Sequence, residues 1–501
     1  MSALLLMMTS CELEQVTYNE INPDIFPQSE SDVKALVNSS VYYVFEPWSV
    51  FNPATGYIIT SEMVTDYAEN SWGWTTVYNT YEANDWHIDD AGRCVYTNWV
   101  KYLSSMILAE DRIRNVDMPA DLMERYMAEI KCGKGFLAYI MYDMYGPIPI
   151  PDLEVLSNPA AQIIVPRLSE EAMQEFIETN LLQAADVLPY TYDAADYGRF
   201  TKGLAKTLLL KLYMMTGRWD DAETVGRELV DDPQYPYELV SDYNSLFSLD
   251  GEQNSEVIYS AVAKTGIITH QWIAHVLPSD YPTSGDITKW GGYKISWPVY
   301  WTFEEGDKRL DRIIAEYTAE DGTLHNYEND RPLGSGSGVL YYGAVPLKYD
   351  LSSGTVGTEC EIDMPIYRYA DVLTLLAEAI VRNGNTVTQE AVDLLNQVRT
   401  THGGLKAYTL SELSTVTVFL DKLLEERGHE FYWEGPRRSD LIRHGKFIEA
   451  AQEKARWAGQ TEDAIAKIAT QVDGRYKYER FPIPTSVINE GKGVITQNPG
   501  F

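Results

Sequence analysis

"TKGLAKTLLLKLYMMTGRWDDAETVGRELV" runs from Thr201 to Val230 and decides the fold. Its apolar residues recur at helical spacing, which predicts one helix to about Thr216, a tight turn at Gly217 and a second helix. Small Ala222 falls where the two helices must cross. An amphipathic hairpin of this kind cannot bury its apolar faces alone and needs similar neighbours.

A second phrase supplies one. In "RYADVLTLLAEAIVRNGNTVTQEAVDLLNQVR", Arg368 to Arg399, Ala379, Gly384 and Ala391 take comparable roles. Both phrases resemble tetratricopeptide units. Upstream, "SDVKALVNSSVYYVFE" (Ser31 to Glu46) opens on a Ser cap and puts Val33, Leu36, Val37, Val41 and Val44 on one stripe. Cys94 to Val116, Ala120 to Gly146 and Glu170 to Leu188 also read as helices, the second leaving through Pro147, Pro149 and Pro151. Between about Asp232 and Ile362 the helical signal fades, and Gly, Pro, Ser, Tyr and Trp dominate. The expected fold is therefore mostly α: a tetratricopeptide-like helical-hairpin scaffold with a large insertion of irregular loop and short strands. Long irregular segments inside compact chains are usually functional.

Composition narrows the partners. The chain has 501 residues, 74 acidic against 40 basic, and a formal net charge of -34. Such a surface repels nucleic-acid phosphates and anionic lipid head groups and favours neutral ligands. After the first eight residues no stretch is apolar enough to span a bilayer. "MSALLLMMTSC" reads as the end of a lipoprotein signal, residues 1–10, with Cys11 as the lipid acceptor, although the basic region of a secretory signal is missing. A polar tether over 11–27 follows. The four cysteines, Cys11, Cys94, Cys132 and Cys360, show no CxxC spacing, which argues against a disulfide framework and against structural zinc.

Several phrases carry a resemblance. "YRYADVLTLLAEAI", "LLEERGHEFYWEGPRRSDLIRHGKF" and "FPIPTSVINEGKGVITQNPGF" resemble the C-terminal motifs of the SusD/RagB family, and "KGFLAYIMYDMYGPIPIP" resembles its N-terminal phrase. Their order, with Cys11 ahead of them, covers essentially the whole chain. The resemblance implies one SusD-like domain over 28–501, with an N-terminal part to about 231 and a C-terminal part from about 232. It also implies an outer-membrane, cell-surface lipoprotein that captures nutrients, most often glycans, and acts as lid for a SusC-like TonB-dependent transporter. Peptide capture in the same uptake system is the alternative.

No reaction is indicated, so the chain reads as a non-enzyme with no cofactor and no metal. There is no GxSxG, no HExxH and no P-loop, since Gly133-Lys134-Gly135 sits in a helical run. His270 and His275 are five apart, which does not pair imidazoles on a helix face. Arg368, Glu426, Arg427, Glu434, Arg437, Asp440 and Arg443 could suggest a carboxylate pair or an anion clamp. They read better as an ion-pair network pinning the C-terminal helices, and Gln497, Asn498 and Pro499 as a docked terminus.

Sugars present apolar C–H faces and polar rims, so proteins stack aromatic rings on the faces and place amides and carboxylates at the hydroxyls. Two clusters fit. The first is Trp72, Trp74, Tyr78 and Tyr81 beside Asn70, Asn79 and Asp85, in "SWGWTTVYNTYEANDW". The resemblance implies stacking aromatics in this place, just before the helix that begins near Cys94. The second is Trp290, Tyr293, Trp297, Tyr300 and Trp301, with Trp272 upstream. Burial in a local core competes for every one of these rings. Trp86, Trp99, Trp219 and Trp433 are assigned to packing.

Overall fold

The computed structural model describes residues 26–72, 95–351 and 354–501. It is 51% helix and 8% strand. The deciding hairpin forms as the pattern requires. Thr201 caps the Lys202–Thr216 helix by accepting from the Leu204 N–H, and Gly217 turns the chain at φ 72°. The Trp219–Asp231 helix then buries Ala222, Val225, Gly226 and Leu229. Gly226 is needed because a Cβ there would lie 2.9 Å from the Leu376 side chain, on the Tyr369–Gly384 helix of the second hairpin. Lys211 and Asp371 join the two hairpins by a 2.7 Å ion pair. In the second hairpin the left-handed turn residue is Asn385, at φ 46°, rather than Gly384, which stays helical. Asn tolerates that conformation better than most residues, so either could have served.

The first helix also differs from expectation. It spans Glu30–Ser40, capped by Ser29 in a capping box with Asp32, and a 3-10 turn over Tyr42–Phe45 follows. The Ser31–Glu46 stripe is thus two pieces, though Val33, Val37, Val41 and Val44 are all buried. Long helices Tyr96–Ile113, Ala120–Tyr145 and Glu170–Val187 complete the N-terminal layer. Gly133 lies inside the second of these, where a Cβ would meet Val41 at 2.7 Å, so its role is close helix packing.

The irregular middle supplies small antiparallel sheets. Ala68–Asn70 pairs with Tyr293–Ser296, which pairs in turn with Gly343–Ala344. Val257–Ala261 pairs with Met364–Arg368. Cys132 and Cys360 are free, buried thiols. Among the described residues no helix is long and apolar enough to cross a membrane. Cys11 and Cys94 lie outside the described residues.

At the centre of the C-terminal half, charge is buried. Arg309 holds Asp307, Glu426 and Glu430, while Arg368 holds Glu256, Glu430 and Glu434, at 2.6–3.2 Å. Arg427 bridges Asp371 and Asp440, and Arg443 bridges Glu378 and Asp440. Arg437 reaches Asp66 at 2.6 Å, tying the C-terminal helices to the N-terminal part. The motif residues are an ion-pair network. The terminus is docked too: Gln497 exchanges two 2.7 Å bonds with the Ile483 backbone, and Asn498 donates to the Tyr145 and Phe481 carbonyls.

Candidate functional site

Two aromatic surfaces flank the Tyr293–Ser296 strand. At its start, Asn70 turns its Oδ1 back to the Trp72 N–H at 2.7 Å, and the Ser71 N–H donates to the Gly292 carbonyl at 3.0 Å. These bonds fix the direction in which the chain leaves the strand. Gly292 then admits the indole, since a Cβ there would stand 2.5 Å from Trp72 ring atoms. The Trp72 ring is half-buried against His275 and Tyr293, at centroid distances of 5.5 and 5.4 Å. Trp290 stands edge-on to the same imidazole at 4.9 Å and is 41% exposed.

Beneath them runs a buried column. Tyr293 stacks on His275 at 5.2 Å and on Trp433 at 5.1 Å, and Trp433 meets Trp272 at 5.5 Å. The His275 Nδ1–H donates to the Gln271 carbonyl at 2.7 Å, and burial pushes the imidazole pKa down, so the ring is neutral. Lys294 braces the turn below Trp290 by donating to the Gly291 carbonyl at 2.6 Å. Burial pushes its ammonium down to about 7.

At the far end of the strand, Trp301 follows the short Trp297–Tyr300 helix and is 50% exposed. Three rings hold it: Trp297 offset-stacked at 6.1 Å, and Tyr327 and Trp457 edge-on at 4.9 and 5.7 Å. Aromatic pairs of this geometry fix a ring's position as well as bury area.

Tyr293 and Trp297 must be corrected as sugar-stacking rings. Tyr293 is 0% exposed and donates to the Pro53 carbonyl, and Trp297 is 2% exposed with its Nε1–H on the Leu340 carbonyl. Neither presents a face to solvent; each supports a ring that does. Trp272 is buried likewise. Trp74, Tyr78, Asn79, Tyr81, Asp85 and Trp86 lie outside the described residues. Trp99 and Trp433 are packed in the core, and Trp219 is half-buried beneath Arg382.

A cleft the sequence reading did not select, of about 440 Å³, is lined by Tyr190, Tyr192, Tyr197 and Tyr237 with Asn254 and Arg199. Only the tyrosine density of "YTYDAADYG" signals it. Glu256, His402 and Glu430 gather closely enough to suggest metal ligands. Burial alone would push the His402 imidazole down, but the Glu430 and Glu256 carboxylates override it and raise the pKa to about 10. The ring is a donor to both, at 2.8 and 3.1 Å, and with Arg368 it supplies the positive charge a metal would bring. The three side chains thus satisfy one another as an ion-pair cluster.

Residues 256–501 match the family model of the SusD family. This C-terminal stretch belongs to the SusD/RagB family. The starch-binding protein SusD of Bacteroides thetaiotaomicron is 23% identical over 431 residues, covering 75% of this chain and 73% of that protein. A crystal structure of a SusD homologue from the same organism superposes with a TM-score of 0.78 at 19% identity, over 97% of this chain and 99% of that one. A surface glycan-binding protein A of B. thetaiotaomicron, solved with laminarihexaose, gives 0.72 at 18% identity, over 94% and 100%. At such identities the structures establish the SusD fold, mostly helical with small scattered sheets.

Proposed function

We propose that this chain binds glycans on its exposed indoles and performs no chemistry on them. The observation that carries the reading is that Trp290 and Trp301 stay 41% and 50% exposed while the rings that support them are buried, as His275 and Trp297 are, or half-buried, as Tyr327 and Trp457 are. Water-facing indoles held from behind present rigid apolar faces at little entropic cost, the property a sugar face requires. Covering about 50 Å² of such a face at ~25 cal/mol/Å² contributes about 1.2 kcal/mol, close to tenfold in affinity. The relatives named for starch binding and laminarihexaose support glycan as the ligand class.

Trp72, Trp290 and Trp301 are the described members of the proposed surface, and Trp74, Tyr78, Asn79 and Tyr81 extend the first cluster. With a lipid on Cys11 the protein would sit at the outer-membrane cell surface and act as lid for a SusC-like TonB-dependent transporter, handing over ligand as it opens and closes. Affinity electrophoresis against neutral and charged polysaccharides tests the binding. At least one glycan should retard the native chain, and Trp72→Ala with Trp290→Ala should reduce that retardation in a folded protein. A chain that no glycan retards but that a peptide mixture protects from heat would overturn the reading.

A further inference from the structure

The second indole surface carries a cation without a counterion. Arg331 follows the Tyr327–Asp330 helix, and its guanidinium lies 4.3 Å from the Tyr341 ring centroid and 4.7 Å from that of Trp457. Trp457 is the ring that meets Trp301 edge-on. Arg331 donates to the Tyr341 and Trp457 carbonyls at 3.3 and 3.4 Å. A guanidinium has five N–H donors, so most of its fork has no protein acceptor. Neighbouring Asp330 does not supply one, because its buried carboxylate accepts from His325 and from the Leu340 N–H.

This arrangement is singular among the described residues. Among the described residues, every other arginine that lies over a ring also holds a carboxylate. Arg199 holds Glu129, Arg218 holds Glu178 and Arg382 holds Glu378. With 74 acidic residues in the chain, half-buried Arg331, joined through the Trp457 ring to the most exposed of the clustered indoles, holds no carboxylate among the described residues. Leaving a cation partly desolvated and unpaired costs free energy unless a ligand completes it.

We propose that Trp301, Trp457 and Arg331 form a subsite for a sugar residue bearing an anionic group, a carboxylate or a sulfate ester. The ring would stack on Trp301 and the anion would meet the Arg331 fork, whose planar donors match either group. The overall charge of -34 does not prevent this. Charges beyond about 8 Å are largely screened at physiological ionic strength, whereas a contact pair is not. The inference rests on the glycan-binding reading and deepens it.

Isothermal titration with a hexagalacturonate, a carrageenan-derived sulfated hexasaccharide and neutral laminarihexaose tests it on the full chain. At least one anionic probe should bind, and which one does names the anion. Arg331→Gln should weaken that probe about tenfold or more, leave any neutral binding unchanged, and reduce the salt dependence of binding. Arg331→Lys should recover part of the loss, since it keeps charge without the fork. Trp301→Ala, at an exposed position, provides a second variant that should fold and should weaken the same probe. Failure of both anionic probes to bind, or equal losses for neutral and anionic probes in Arg331→Gln, would overturn the subsite. The glycan-binding reading itself fails only if no glycan binds at all.

Discussion

The ion-pair network and the indole surfaces invert the usual distribution of residue types. Arg309, Arg368, Arg427 and Arg438 are at most 1% exposed, while Trp290 and Trp301 keep 41% and 50% of their surface in water. Charges are normally outside and large rings inside. The inversion separates two tasks. Buried pairs stabilise little over apolar packing but are severely penalised when one partner is lost, so they bind the C-terminal helices into one arrangement. Exposed rings add little to stability and remain available to ligand.

The strongest way to break this comparison is at Arg368. Its loss removes the guanidinium that Glu256, Glu430 and Glu434 share and leaves these buried carboxylates one positive charge short, with His402, Arg309 and Lys348 as their remaining partners. Arg368→Leu should cost about 3–5 kcal/mol in urea unfolding, and any folded fraction should retain its sugar affinity. Next comes Trp290→Ala with Trp301→Ala, which should cost about 2–3 kcal/mol of binding by titration calorimetry. The unfolding midpoint should stay within a few degrees.

The network and the surfaces should also separate by pH. His402 has its folded pKa raised to about 10 from an ordinary 6.5. Its contribution is therefore complete below about 6.5 and is lost as pH rises through 10. The stability gap between the native chain and His402→Gln should narrow from pH 6 to pH 10 in denaturant titrations. Binding of a neutral sugar by indoles should stay flat over the same range, because indoles do not titrate. The smallest effect belongs to the exposed Lys446–Glu449 pair. Lys446→Ala should change unfolding free energy by less than about 0.5 kcal/mol and binding not at all.

The two helical hairpins were legible because apolar period, caps and turn residues agree locally. The deciding stretch ends its first helix at Thr216 and turns at Gly217 as read. The ion-pair network was legible in kind from the density of opposite charges around Glu426 to Arg443, but not in its partners. Glu256, Arg309 and His402 come from distant segments that no local pattern links. The aromatic middle was the hardest to read, since Tyr293, Trp297 and Trp301 have the same local chemistry. What separates them is three-dimensional: strand pairing turns Tyr293 inward, the Leu340 carbonyl captures Trp297, and Trp301 lies one turn further on. Arg331 escaped notice because its meaning lies in a missing partner, which only the folded arrangement reveals.

The most direct measurement pairs calorimetric affinity with thermal unfolding on one sample of the Trp290→Ala, Trp301→Ala variant, using the polysaccharide that best retards the native chain. A fall of about fiftyfold or more with an unfolding midpoint within a few degrees of native is the predicted result. Undiminished affinity in that normally folded variant would contradict the claim that these exposed rings are the binding surface.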